Sequence, residues 1–348
     1  MALLEAKELN IHYDTAGSDR IWAVRDVSLS LEEGEFVGIV GESGCGKSTL
    51  GFGLTQMLKP PAHLTGGAIT FDGREVSKFS PEELRASRRG GIALVLQSGM
   101  NALNPVRTIE RLIGDVLKAH AGKSDRPSRK QIHQRAVELI EMVELPTTVL
   151  SSFPHELSGG MRQRTAIALA LALEPRVIVF DEPTTALDVL VQAAVLKTIK
   201  ELQRVGRFSA ILISHDMSVV LRETDRTLVM YGGKIVEDQP SSSILQGYHH
   251  PYTEALMKCY GDPRADEIKL NDIPGSPPDL SLPEHGCSFA PRCPEASEAC
   301  TQSVPQLHPW GSGSLACHAR PAASIAARSR RASAMSMAGL SCRRGGRG

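Results

Sequence analysis

Apolar positions along this chain recur with two periods, and their alternation predicts most of the fold. Val24–Leu31 alternates apolar and polar residues, as a half-buried strand does. Glu35–Val40 is a short apolar run with β-branched residues that stops at Gly41, and helical spacing takes over across Lys47–Leu58. Residues 81–160 read as mainly helical, interrupted by polar stretches and punctuated near the end by Pro146 and Pro154. A regular succession follows: helix Met161–Leu173, strand Val177–Phe180, helix Val189–Val205, strand Ala210–Ile213 and a further strand near Thr227–Met230. Strands alternating with helices predict an α/β fold, with a parallel sheet and helices on both of its faces. From about His250 the periodicity fades into Pro-, Gly- and Cys-dense segments, PGSPPDL at 274–280 and GCSFAPRCPEASEAC at 286–300. The last 25 or so residues are mostly Arg, Ser, Ala and Gly, a composition expected to be disordered.

Composition narrows the classes. At 348 residues the chain suits two domains, or one large domain with additions. With 41% hydrophobic and 22% charged residues, it can bury a core, so disorder of the whole chain is excluded. Thirty-nine basic and thirty-nine acidic residues cancel, which argues against a dedicated nucleic-acid binder. The balance is uneven: no Asp or Glu follows Glu298, and seven Arg lie between Arg320 and Gly348, so residues 1–319 carry 0 − 7 = −7. The longest clean apolar run, Ala166–Leu173, is far short of the roughly 20 residues that span a bilayer. The acid-bearing start MALLEAKELN is not a signal peptide, so a cytoplasmic location is expected.

The first chemistry appears at Gly41-Glu42-Ser43-Gly44-Cys45-Gly46-Lys47-Ser48, which matches G-x-x-x-x-G-K-[ST] between a predicted strand and a predicted helix. Its glycines let backbone N–H groups wrap a phosphate, Lys47 can reach the β- and γ-phosphates, and Ser48 can ligate Mg²⁺. Thr49 continues the phosphate-binding turn, and the helix adds its positive dipole end. Val177–Phe180 runs into Asp181 and Glu182. Behind a phosphate loop, Asp181 is placed to hold Mg²⁺ and Glu182 to polarise an attacking water.

Between these motifs lies Leu157-Ser158-Gly159-Gly160-Met161-Arg162-Gln163, which resembles the signature of ATP-binding cassette (ABC) ATPases. Other marks of that family follow in its order: Gln97 after the strand Ile92–Leu96 as a Q-loop, Ala186-Leu187-Asp188 as a D-loop, His215 as a switch histidine, and Tyr13 where an aromatic stacks on adenine, with Trp22 as an alternative. The resemblance implies a P-loop ABC nucleotide-binding domain, a RecA-like core plus a helical subdomain at about 85–160, spanning residues 1–250. It makes Glu182, His215 and Gln97 the catalytic set, and Ser48, Gln97 and Asp181 the Mg²⁺ set. Tyr13 and Gly41, Ser43, Gly44, Cys45, Gly46, Lys47, Ser48 and Thr49 would bind ATP. Ser158, Gly159, Gly160, Gln163 and Asp188 would act on ATP held by a facing subunit in a head-to-tail dimer.

The subfamily is also legible. Residues 97–105, QSGMNALNP, resemble the SLNP segment of oligopeptide, dipeptide and nickel importer ATPases, with Ala102 in place of Ser. Pro154-His155-Glu156, DEPTTALDV at 181–189 and His250-Pro251-Tyr252-Thr253 fit the same group. The resemblance implies a peripheral subunit on the cytoplasmic face of the inner membrane. Its implied partners are two integral-membrane permease subunits, a second ABC ATPase, different or identical, and indirectly an extracytoplasmic solute-binding protein. The imported cargo would be peptides or related solutes; the competing reading is a non-transport mechanical ATPase of the same family. A C-terminal region over 251–318 and a basic tail over 319–348 complete the expected organisation. Cys287, Cys293, Cys300 and Cys317 form C-x5-C-x6-C-x16-C, which admits an iron–sulfur cluster, zinc or unligated thiols. The resemblance implies the first, a [4Fe–4S] cluster.

Overall fold

The computed structural model describes residues 2–16, 19–96, 103–122, 125–185, 187–206, 208–247, 249–260 and 272–320. Among these, the strands form two sheets. The smaller is antiparallel, in the order β2 (Arg20–Leu31), β1 (Leu4–Asp14), β4 (Ala62–Phe71), β5 (Arg74–Glu75). The larger is built on β3 (Phe36–Val40), β6 (Ile92–Val95), β7 (Val177–Asp181), β8 (Ser209–Ile213) and β9 (Arg226–Tyr231), all parallel, in the order β9-β3-β8-β7-β6. Antiparallel β10 (Lys234–Pro240), β12 (Gly313–Leu315) and β11 (His308–Trp310) extend it beyond β9.

The parallel strands are apolar without interruption because both faces are covered. Period-2 geometry splits their side chains between two cores. Val37 and Ile39, Val177 and Val179, and Ile211 and Ile213 enter the core shared with the small sheet and with α1 (Lys47–Leu54). Phe36 and Val40, Ile178 and Phe180, and Ala210 and Leu212 enter the opposite core. There they meet α5 (Gly159–Leu171), α6 (Val189–Arg204) and α7 (Met217–Glu223). The same core continues into α3 (Ile109–Ala119) and α4 (Arg129–Met142), while α2 (Pro81–Ser87) has no buried residue. Helices therefore cover one face, while the other is covered by α1 and a second sheet rather than by helices alone. The apolar faces of β1 and β2 supply that cover: Leu4, Leu9, Ile11, Val24 and Leu31 are fully buried.

One irregularity in β1 matters for the site. The β1–β2 register shifts between Ala6 and Leu9, where Glu8 sits in the left-handed region at φ 49°. This bulge re-phases the strand, so Leu4 and Ala6 before it and Leu9 and Ile11 after it all face the core. Tyr13 inherits the phase of Leu9 and Ile11 and points toward α1.

After α8 (Ser241–Ile244) the chain does not leave for a separate body. Helix α9 (Pro251–Tyr260) lies on α7, and Tyr252 and Phe289 join the helical core. A last short helix, α10 (Glu298–Gln302), precedes the terminal hairpin. Arg320, which opens the basic tail in the sequence, is buried against Glu295 and Glu254, so the ordered chain reaches at least that far.

Truncating a fully buried strand residue should cost far more than truncating an exposed one. Ile39→Ala is expected to lose about 2–5 kcal/mol of stability, and Val205→Ala, largely exposed, less than about 0.5 kcal/mol. Urea unfolding followed by circular dichroism checks both; equal losses would contradict the two-core description.

Candidate active site

In a parallel sheet, functional groups gather where the carboxyl ends of neighbouring strands converge. Here β3, β8 and β7 are adjacent, with Ile39 and Asp181 both level with Ile213. Their ends deliver the phosphate loop, the Asp181–Glu182 pair and the Ser214–His215 turn to one place.

The phosphate loop runs from Gly41 to Gly46 and opens α1. Gly46 is left-handed at φ 103°, and a Cβ there would sit 1.9 Å from the Ala23 carbonyl oxygen, so only glycine fits. Lys47 is buried, and its Nζ donates to the carbonyl oxygens of Gly41 at 2.8 Å and Glu42 at 2.9 Å. Its ammonium thus spans the mouth of the loop, where an incoming phosphate oxygen can compete for it. Cys45 is buried beside it; burial pushes its thiol up, with the Lys47 charge opposing. Tyr13 Oη lies 2.9 Å from Thr49 Oγ1, tying the aromatic of β1 to the first turn of α1. Trp22, the alternative stacking residue, instead sits against His12 with ring centroids 5.0 Å apart.

Ser48 Oγ donates to Asp181 Oδ1 at 2.9 Å, which brings the two expected Mg²⁺ ligands together. Burial raises the Asp181 carboxyl above the usual carboxylate range; the Ser48 hydrogen bond opposes this, the Glu182 charge adds to it and the Lys47 charge opposes it. A partly desolvated carboxylate beside a hydroxyl suits a divalent cation. Glu182 follows with its backbone at φ 47°, an uncommon conformation for a non-glycine residue, held by its N–H donating to the Ile213 carbonyl at 2.9 Å. That backbone turns its carboxylate to Thr185, whose hydroxyl donates to Oε2 at 2.9 Å, and to His215, whose Nδ1 is 3.4 Å from Oε2. Thr185 escaped the sequence reading; a threonine three residues after a strand-end acid is too common to stand out. Gln97 lies outside the described residues, as does Ala186 of the D-loop.

The signature belongs to a different surface. Ser158 caps α5, accepting from the Met161 N–H at 3.3 Å. A Cβ on Gly160 would meet Val191 Cγ1 at 2.5 Å, so the signature turn packs closely on α6. Asp188 caps α6 through the Val191 N–H at 3.0 Å. Among the described residues, Ser158, Gly159 and Gly160 make no hydrogen bond to the phosphate loop. Gln163 is fully buried with neither side-chain amide atom hydrogen-bonded among the described residues.

The C-terminal segment closes against the same end of the sheet. Tyr231, Tyr252 and Phe289 form an aromatic cluster with centroids 4.5–5.3 Å apart. The Trp22 N–H donates to the Leu280 carbonyl at 2.9 Å, and Arg25 donates to the carbonyls of Leu280 and Leu282. Cys287, Cys293, Cys300 and Cys317 are gathered here, the Cys287 N–H donating to the Cys300 carbonyl at 2.7 Å. Burial pushes the Cys287 and Cys293 thiols up and takes Cys317 to about 11. The iron–sulfur expectation gains no support: among the described residues no group of three or more His, Cys, Asp or Glu is set to hold a metal. Cys287 and Cys293 pack on the helical core and Cys317 beside Trp310 and Leu315, yet Cys317 stays within electrostatic reach of both.

A lysine-bearing phosphate loop beside a hydroxyl–carboxylate pair, with a carboxylate one residue beyond β7 and a histidine two residues beyond β8, defines a Mg²⁺-dependent P-loop ATPase. Comparison with known proteins narrows the class. Residues 24–185 match the ABC transporter family and residues 236–300 match the oligopeptide/dipeptide transporter C-terminal region. The chain is 40% identical over 308 residues to the dipeptide transport ATP-binding protein DppD of Bacillus subtilis, covering 87% of this chain and 90% of the relative. Against DppD of Escherichia coli it is 35% identical over 322 residues, covering 91% and 97%. Among solved structures, the dimeric ATP-binding cassette MJ0796 in a post-hydrolysis state with ADP and Pi superposes with a TM-score of 0.60 at 30% identity, over 70% of this chain and 100% of that one. The chain belongs to the ABC transporter ATP-binding subunits of the oligopeptide/dipeptide importer family.

The raised Asp181 carboxyl has a stability consequence. A carboxylate with a folded pKa above its unfolded one costs folding free energy once the pH exceeds the unfolded value, and the cost vanishes below it. Asp181→Asn should therefore raise the melting temperature of the nucleotide-free protein at neutral pH. It should also remove the Mg²⁺-dependent part of ATP stabilisation, which for the wild type at a hundredfold excess over Kd is about 2.7 kcal/mol. Thermal melts with ATP, with and without Mg²⁺, check this; a destabilised variant that still responds to Mg²⁺ would reverse both assignments.

Proposed function

We propose that this chain powers the uptake of peptides or related solutes, hydrolysing ATP on the cytoplasmic face of the inner membrane while bound to two integral-membrane permease subunits. The observation that carries this reading is the union, in one chain, of an ABC transporter match over residues 24–185 with a C-terminal region matched to oligopeptide/dipeptide transporters. The relatives' names, dipeptide transport among them, support the cargo class. No helix among the described residues is long and apolar enough to cross a membrane, so the path for solute is assigned to the partner subunits.

The motifs and the placement of the described residues support a role for each group. Lys47 moves from the Gly41 and Glu42 carbonyls to the β- and γ-phosphates, and loop N–H groups from Ser43 to Thr49 cradle the rest. Ser48 and Asp181, together with Gln97, would hold Mg²⁺, which would neutralise charge on the phosphates. Glu182, fixed by Thr185 and its own backbone, polarises the attacking water, and His215 bridges Glu182 and the γ-phosphate. Tyr13 stacks on adenine. The signature residues Ser158, Gly159 and Gly160, turned away from their own phosphate loop, close on ATP held by a second ABC ATPase, either a different chain or a second copy. Asp188 and Gln163 support that surface. Residues 1–250 form the cassette, the helical layer over about 85–160 passes closure to the permease, and 251–318 form the importer-type C-terminal region. A solute-binding protein outside the membrane supplies cargo.

Glu182→Gln should still bind ATP while hydrolysis falls by at least about 100-fold, and the chain should run as a dimer with ATP on size exclusion. Hydrolysis at the wild-type rate would take Glu182 out of its role. For the transport reading, affinity purification from native membranes should bring down two multi-span proteins and a sister ATPase. Recovery with ribosomes or DNA instead would favour the mechanical-ATPase alternative.

A further inference from the structure

Glu42, the second residue of the phosphate loop, is held at every polar group it has. Its carbonyl accepts from Lys47 Nζ at 2.9 Å. Its N–H donates to Tyr252 Oη at 2.8 Å. Its carboxylate is gripped in bidentate fashion by Arg292, Nη1 to Oε2 at 2.7 Å and Nη2 to Oε1 at 2.9 Å, across 250 residues of sequence. Two of these three partners come from the C-terminal region, and the third is the lysine that must reach the phosphates.

Arg292 is itself fully committed. Its Nε donates to the Pro274 carbonyl at 2.9 Å, Nη2 also to the Ile273 carbonyl at 3.0 Å, and Nη1 also to Tyr231 Oη at 3.2 Å. All five N–H groups of the guanidinium are thereby used. Its side chain is 5% exposed, against 23% for Glu42. A bidentate guanidinium–carboxylate pair shielded from solvent is geometrically specific and poorly screened by salt. Arg292 sits three residues after Phe289 of the aromatic cluster, which fixes its direction.

A carboxylate at this position is a liability. The loop exists to wrap a polyanion, and an unneutralised Glu42 would repel it from a partly buried position, where Coulomb interactions are strong. We propose that Arg292 is a positioning residue for nucleotide: it neutralises Glu42 and clamps the entry of the phosphate loop, so the C-terminal region sets the affinity of the site for polyphosphate. This rests on the reading of the loop as an ATP site and adds to it a contribution from outside the cassette.

The test is the binding of MgATP, MgADP and adenosine to the purified full-length chain by isothermal titration calorimetry. Arg292→Ala should weaken MgATP on the order of tenfold, MgADP less, and adenosine hardly at all, because the effect follows ligand charge. The double variant Arg292→Ala/Glu42→Gln should recover most of the MgATP affinity, since the exposed charge is gone. Glu42→Gln alone should bind MgATP at least as tightly as wild type, and it keeps Arg292 and its carbonyl partners should Arg292→Ala not fold. A purely structural brace would give equal losses for all three ligands, or no recovery in the double variant, and either result overturns the proposal, as does weaker MgATP binding by Glu42→Gln. If the wild type binds MgATP and every variant binds it equally, only this inference fails. If the wild type binds no MgATP, the ATPase reading fails as well.

Discussion

Five parallel strands with no solvated face impose a demand that shapes everything else in this protein: each face needs its own apolar cover. The chain meets it with two unlike layers. One is the antiparallel sheet of β1, β2, β4 and β5 together with α1; the other is the helical layer from α3 to α7. Because the covers differ, the two faces carry different functional groups to the rim. The sheet layer brings Tyr13 to the phosphate loop, and the helical layer brings Ser158 and Asp188 to a surface turned elsewhere. The separation of these two surfaces is thus a consequence of how one sheet is buried.

At the strand ends, charge is held in readiness without being spent on internal pairing. The Lys47 ammonium is satisfied by carbonyl oxygens, and Asp181 accepts from a neutral hydroxyl. Glu182 is steadied by a threonine hydroxyl and approached by a histidine. Hydrogen bonds to neutral groups orient these charges at small cost, so a metal–nucleotide complex can exchange them for stronger partners. Preorganised dipoles and charges of this sort are the usual source of stabilisation in phosphoryl transfer.

What the sequence disclosed was local. The strands β3, β7, β8 and β9 and helices α5 and α6 lie within a few residues of their periodic signals, because a fully buried strand and a one-sided helix each write their period directly into the chain. The bulge at Glu8 breaks the alternation of β1 and hides the phase that turns Tyr13 inward. The second sheet on the α1 face was missed because its two local hairpins, β1–β2 and β4–β5, are joined by the distant β1–β4 pairing, which the strands do not mark. The motif residues at the ATP site were legible through fixed spacing. The Arg292–Glu42 pair was not, since nothing in a lone arginine of a Cys-rich stretch names a carboxylate 250 positions earlier. The four cysteines read as a ligand set in the sequence; the fold brings them near one another without forming a metal-holding group among the described residues.

The hairpin of β11 and β12 is synthesised long after the strands that it extends. Among the described residues, strand β10 has β9 on one side and β12 on the other, whose residues Ser314 and Leu315 pair with Asp238 and Glu237. While the chain emerges from the ribosome, that flank of the main sheet stays open long after the cassette can fold, a bare row of N–H and C=O groups able to template intermolecular pairing. Translation stalled before the hairpin would leave a product with its hydrolytic residues assembled and its sheet edge uncapped. Such a product invites self-association.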